Sequence, residues 1–310
     1  MSALNLDIPK KYRPLLRLGT CSWKYEGWKG LIYRPGVRHS GEDYLVEYAR
    51  HFNSVEVDQW FWSLFPAGVK LPDPHVAKAY AESVPDDFLF TVKAPNAITL
   101  THHYARQAKG HADFANKPNP DFLSLDLLNR FLETLSPMGE KLGPIMFQFE
   151  YLNKTKMPSL KAFLDRLHEF FVKAPREFSY AIETRNPNYL STAFFDSLRE
   201  HKLGYVFLEG YYMPHIADVF GKHDTTTPVG TIVRLHGPDR QAIEEATDSA
   251  WDSIVGPRPE SIQAAVDIVR ANLRLGHKTF VNINNHFEGC APLTAERLLT
   301  VLREKKPKLV

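Results

Sequence analysis

The sequence predicts an α/β fold, a single (β/α)8 TIM barrel with long insertions in the loops that follow its strands. Three observations predict it. Eight short β-type runs recur along 310 residues. Stretches of helical periodicity separate them, and alternation of strand with helix implies a parallel sheet. The length also fits eight strand–helix units with insertions. An open doubly wound sheet is the structural alternative, and it requires a glycine-rich phosphate loop after the first strand. Gly19-Thr20-Cys21-Ser22-Trp23 carries no G-x-G-x-x-G pattern.

In chain order, residues 1–16 read as a polar, proline-containing N-terminal extension and 17–310 as the barrel domain. The spacing predicts strands at 18–22, 54–58, 89–93, 145–150, 180–185, 204–209, 231–236 and 278–284. Helices are expected over 44–52, 122–135, 160–172, 192–201 and 261–275, where apolar positions recur at three and four. Gly276 is a stop for the last of these, and Gly204 ends the stretch before the sixth strand. The segments 99–120 and 210–228 are rich in His, Thr, Pro and Gly and each follows a strand. They are the expected insertions, and such loops cover the functional face of a barrel.

Composition narrows the class of protein. Apolar residues make up 44% and charged residues 24% of the chain, as in ordinary soluble proteins. The formal net charge is +2 and the isoelectric point about 8.4, so no whole-molecule field calls for nucleic acid. A local basic patch stays compatible with these numbers. No run approaches the roughly 20 apolar residues that span a bilayer, and the first 16 residues lack the apolar core of a signal peptide. Two cysteines, Cys21 and Cys290, make no disulfide framework. These features predict a soluble cytoplasmic protein. Strands one and eight adjoin in a closed barrel, so the two thiols could approach each other; two unrelated reduced thiols are the simpler expectation.

Strand parity locates a site. Successive side chains face opposite ways, so the residues of each strand divide into interior and helix-facing sets. Ser54, Glu56 and Asp58 share one parity against Val55 and Val57. Ala181, Glu183 and Arg185 oppose Tyr180 and Ile182, and Ile232, Arg234 and His236 oppose Val233 and Leu235. Thr91 with Lys93, Gln148 with Glu150, and Asn282 with Asn284 follow the same rule. Polar groups therefore collect near the C-terminal ends of strand after strand. Burying them unpaired costs several kcal/mol each, as an order of magnitude, so a ligand-binding mouth is expected there.

Within that ring Glu56 and Glu183 form a candidate acid/base pair, with one carboxylate ionised beside more cations and the other raised by burial. His236 is a candidate proton shuttle. Lys93, Arg185 and Arg234 form a cationic cup suited to carboxylate or phosphate, while Gln148, Asn284 and Asn285 offer neutral donors and acceptors. An internal salt-bridge network and loop anchoring are the competing structural readings. Glu56, Glu183 and His236 could share a divalent ion, but no H-x-H or H-E-x-x-H spacing occurs and the cations oppose one, so no metal or cofactor is expected. Trp23 and Tyr25 stand in an aromatic-rich first loop as packing or as a stacking wall for a sugar or base. The expected partner is a small polar or anionic ligand, such as a sugar or phosphate compound, in a hydrolase or isomerase reaction. Nucleic-acid or phospholigand binding without catalysis and a metal-dependent phosphodiesterase are the alternatives.

The segments 19–30, 33–35, 52–57, 90–95 with 98–99, Gln148, 181–187, 233–237 and 284–285 together resemble the DUF72, or YecE-like, family of TIM-barrel proteins, in order and spacing from Gly19 to about Ala295. The resemblance implies the barrel and implies no reaction. The chain departs from the family pattern V-E-x-N-x-T-F-Y, which reads Val55-Glu56-Val57-Asp58-Gln59-Trp60-Phe61-Trp62 here. A glutamine-leucine-proline turn reads Gln148-Phe149-Glu150. Asp58 and Glu150 make this mouth more acidic than the family pattern and partly cancel its cations.

Overall fold

A computed structural model describes residues 4–36, 41–107, 109–227 and 229–304. Met1–Ala3 of the expected extension, Lys305–Val310 of the expected domain, and Ala108 and Pro228 in the two expected insertions lie outside the described residues.

Eight parallel strands form a nearly closed barrel: β1 Leu16–Thr20, β2 Ser54–Val57, β3 Leu89–Lys93, β4 Leu142–Gln148, β5 Tyr180–Glu183, β6 Gly204–Gly210, β7 Thr231–Gly237 and β8 Thr279–Ile283. Backbone ladders run from β2 through β3 to β8 and on to β1. A two-residue hairpin, Leu64–Phe65 with Gly68–Val69, sits outside the barrel. The described α-helices are α1 Gly41–Tyr48, α2 Pro74–Glu82, α3 Asn96–Thr99, α4 Leu125–Leu135, α5 Leu160–Phe171, α6 Thr192–Glu200, α7 Ile216–Lys222, α8 Arg240–Thr247, α9 Pro259–Leu275 and α10 Ala291–Arg303. No described helix is long and apolar enough to cross a membrane.

Side chains, rather than a backbone ladder, carry the seam between β1 and β2. The Asn53 amide accepts from Leu18 N–H (2.8 Å) and donates to the Leu16 carbonyl (2.9 Å). The Tyr48 hydroxyl accepts from Thr20 N–H (2.8 Å) and donates to the Ser54 carbonyl (3.0 Å). Leu16, Leu18 and Thr20 of β1 and Ser54 of β2 thereby find partners for their edge groups, as buried backbone requires. Gly19 permits the close approach, because a Cβ there would lie 2.0 Å from the Ser54 carbonyl oxygen.

Helix boundaries follow their caps. α4 begins three residues after the expected 122, where Ser124 accepts from Leu127 N–H and Leu123 holds φ 52°, outside helical space. Gly276 ends α9 in the left-handed conformation, as expected. Helices α2, α3, α7, α8 and α10 carry no reading in the sequence. α2 offers only Asp73-Pro74 as a start signal and buries small alanines, and α7 lies inside the expected insertion 210–228. The N-terminal segment packs on α10: Asn5 N–H donates to Glu296 (2.7 Å), Arg303 donates to the Asp7 carbonyl (2.6 Å), and Leu6 is buried.

The large core lies between barrel and helices. A second, smaller cluster fills the barrel floor: Leu89, Met146, Ala181, Val206, Ile232 and Phe280. The ladder register aligns Phe280 with Ile232, Ile232 with Val206, and Met146 with Ala181. Two residues further along, it aligns Asn282 with Arg234 and Gln148 with Glu183, and the interior changes from apolar to charged.

Candidate active site at the barrel mouth

The charged layer is organised around Arg234 of β7, whose side chain is fully buried. Its Nε and Nη2 donate to the two oxygens of Glu56 on β2 (2.8 and 2.7 Å). Its Nη1 donates to Glu183 of β5 and to the Gln148 side-chain carbonyl of β4 (3.2 Å). Arg185 Nε donates to the other Glu183 oxygen (2.8 Å). Lys93 Nζ, at the end of β3, stands 3.7 Å from Glu56. Asn282 Nδ2 donates to Glu56 (3.1 Å) and to Thr91 Oγ (2.9 Å). The interior parity set thus meets in one network, and fixed opposite charges within hydrogen-bond reach satisfy what would otherwise be costly burial.

Surroundings divide the titratable groups. Burial opposes ionisation of Glu183, but the guanidiniums of Arg234 and Arg185 and the Lys93 ammonium outweigh it and hold the carboxyl at about 2. Burial likewise opposes the charge on Arg234, yet Glu183 and Glu56 hold its pKa well above the ordinary value. Asp58 moves the other way: burial pushes its carboxyl up against the pull of the Lys93 ammonium, and its side chain caps no helix N–H. Burial and the neighbouring Arg234 lower Lys93, whose ammonium packs over the Phe61 ring at 5.1 Å.

His236 sits at the rim of this network with Cys21. Its Nε2 is 3.6 Å from Cys21 Sγ and its Nδ1 is 3.1 Å from the Tyr211 hydroxyl. Burial and then Arg234 press the His236 pKa well below its usual value, while burial and Glu56 push the Cys21 thiol well up. The pair is therefore neutral. Tyr211 is itself held, with the Arg185 guanidinium 4.2 Å from its ring centre. Cys21, Glu56 and His236 place ligand atoms within 4.8 Å of one another; the trio suited to a metal contains Cys21 where the sequence suggested Glu183. Cys21 and Cys290 are both free thiols.

Above the network opens a cleft of about 700 Å³ lined by Gln148, Glu150, Tyr151, Arg185, Tyr211 and Tyr212 among others. Tyr151 and Tyr212 are 60% and 96% exposed. Three polar groups on this wall, the two Arg185 Nη amino groups and the Gln148 Nε2 amide, have no hydrogen-bond partner among the described residues, and Glu150 Oε1 is buried without one. The other Glu150 oxygen pairs with Lys156.

Of the residues singled out by sequence, Glu56, Lys93, Gln148, Glu183, Arg185 and Arg234 meet here, with His236 at the edge. The remaining four lie in other environments. Asn284 accepts from His286 N–H (3.0 Å) and Asn285 accepts from Ala291 N–H (2.8 Å), anchoring the loop before α10. Trp23 is a core residue, edge-on to Tyr80 at 5.1 Å, and Tyr25 packs on Trp28 at 4.7 Å. Sequence reasoning passed over Asn282, which had the right parity, and Tyr211, whose left-handed φ of 53° after Gly210 leaves no periodic signal.

Comparison with known proteins agrees with this architecture. A crystal structure of a DUF72 family protein from Thermotoga maritima MSB8 superposes with a TM-score of 0.65 at 19% identity, over 94% of this chain and all of that one. A DUF72 family protein from Enterococcus faecalis V583 gives 0.62 at 20% identity, over 96% of this chain and all of that one. At such identities these likenesses show the fold. The UPF0759 protein YecE of Escherichia coli K12 is 29% identical over 178 residues, which cover 57% of this chain and about half, 51%, of that protein's length. The family model described as protein of unknown function DUF72 matches residues 17–309. With nearly its whole length matched, the chain belongs to the DUF72 family.

Proposed function

We propose that the protein is an enzyme of hydrolase or isomerase type whose substrate is a small anionic sugar- or phosphate-containing molecule bound in the cleft at the barrel mouth. The observation that carries this reading is the set of unpartnered polar groups on the cleft wall. Two Arg185 amino groups and the Gln148 amide are donors suited to a carboxylate or phosphate. Tyr151 and Tyr212 supply exposed ring faces for the apolar face of a sugar.

The roles divide by environment. Glu183, held near 2, is ionised at neutral pH and cannot serve as the acid. With both oxygens on Arg234, Glu56 is poorly placed to give a proton, and the two glutamates fix Arg234 as a buried positive charge for an oxyanion that develops in the transition state. Asp58, its carboxyl raised by burial, is the group suited to donate a proton. Carboxyl groups pushed in opposite directions by their surroundings can divide the acid and base roles.

The test is an unbiased screen of sugar acids and sugar phosphates against the wild type, Arg185→Met and Asp58→Asn, followed by mass-spectrometric detection of turnover. Arg185→Met is expected to weaken binding tenfold or more, and Asp58→Asn to keep binding and lose turnover. A ligand bound equally by the wild type and Arg185→Met would remove the cleft from the function.

A further inference from the structure

We propose that the barrel mouth binds a zinc-type divalent metal ion on Cys21 Sγ, His236 Nε2 and one carboxylate oxygen of Glu56. The three ligand atoms come from the ends of β1, β2 and β7 and lie within 4.8 Å of one another. The sulfur and the imidazole nitrogen are 3.6 Å apart. A tetrahedral zinc ion with bonds of about 2.3 Å to sulfur and about 2.0 Å to nitrogen separates those two atoms by roughly 3.5 Å. Cys21 and His236 are thus already spaced as ligands of one ion.

The surroundings have the form a metal-binding histidine needs. Its other ring nitrogen meets the Tyr211 hydroxyl at 3.1 Å, which orients the ring and can accept from Nδ1–H when Nε2 holds the metal, and Arg185 packs on the Tyr211 ring at 4.2 Å. A thiolate, an imidazole and a carboxylate select zinc or cobalt over magnesium or calcium. Three protein ligands leave a fourth position for water or substrate. On loading, the Cys21 S–H bond breaks, a sulfur–metal bond forms, and the proton passes to solvent. Arg234 and Lys93 stand beside the same Glu56 and oppose the incoming charge, so affinity is lower than for such a ligand set alone. The metal's use in turnover rests on the cleft being a reaction site; its binding does not.

The experiment is a titration of chelator-treated protein with Co²⁺ and then Zn²⁺, without any organic ligand. It uses a His168→Ala/His201→Ala background, because those two surface histidines, 3.2 Å apart beside Glu200, form a second metal-capable group. The expected result is one equivalent of cobalt with a near-ultraviolet thiolate-to-cobalt band, released by zinc. That band should vanish in Cys21→Ser and His236→Gln, persist in Cys290→Ser, and need tenfold or more cobalt in Tyr211→Phe, a variant that leaves all three ligands in place. No band in the starting protein, a band that survives Cys21→Ser, or unchanged affinity in Tyr211→Phe overturns the proposal. A negative result in the sugar screen leaves this outcome unaffected.

Discussion

The floor of the barrel and the layer two residues above it are built by the same strands, yet they obey opposite rules. Ile232 and Arg234 are both fully buried neighbours on β7, and the strand alternation that points one inward points the other inward as well. On the floor, Leu89, Met146, Ala181, Val206, Ile232 and Phe280 are stabilised simply by leaving water. In the charged layer each group is tolerable only because a specific partner is present, since removing one partner leaves an uncompensated buried charge. Tolerance for substitution should therefore differ sharply across two residues of one strand. The layer whose stability depends on specific pairing is also the one that faces the cleft.

Breaking the charged layer at its centre should have the largest effect. Arg234→Met strands Glu56 and Glu183 and is expected to cost about 3–5 kcal/mol in chemical denaturation. Converting the layer to the floor's chemistry, with Glu56→Leu and Glu183→Leu added, should recover most of that stability while ligand binding stays lost. Full stability in Arg234→Met alone would show that the two layers do not differ.

Acid probes the same contrast. Glu183 has a lower pKa folded, about 2, than the ordinary 4.5, so the unfolded chain binds its proton more readily. Its contribution is present above about pH 4.5 and disappears as pH falls toward 2, on the order of 3 kcal/mol at about 1.4 kcal/mol per pKa unit. Denaturation curves between pH 6 and 2.5 should show this loss, and Glu183→Gln should flatten it. An identical slope in the variant would place the acid sensitivity elsewhere.

The β1–β2 seam is a third kind of region, polar yet uncharged. Tyr48→Phe leaves Thr20 N–H and the Ser54 carbonyl without their shared partner and should cost about 2 kcal/mol, with faster amide exchange at Thr20. Unaltered exchange there would mean that a backbone ladder closes the seam. The smallest effect belongs to the floor: Ile232→Val should cost about 1 kcal/mol and leave ligand binding at the mouth untouched.

How far this could be read in the chain depends on the range of the signal. Parity is local, and it assigns Glu56, Lys93, Gln148, Glu183 and Arg234 to the interior face and Arg185 to the rim just beyond β5. Gly276 marks the end of α9 for the same reason, whereas Gly204, also read as a stop, opens β6 after α6 has ended at Glu200 with His201 as its cap. Short alanine-rich or capped segments such as α2 carry little periodic contrast, so they were passed over. Asn284 and Asn285 illustrate the opposite error: a polar residue just past a strand looks the same whether it faces a ligand or holds its own loop, and here both hold the loop.

By itself, then, the sequence determined the barrel, the polar mouth and the cast of charges, because strand alternation and hydrophobic period are written in neighbouring residues. The pairings themselves were settled by the fold. Arg234 joining carboxylates 178 and 51 residues away, Cys21 resting on His236 across 215, and Asn53 closing the barrel seam all follow from contacts between distant segments, and no spacing along the chain encodes them.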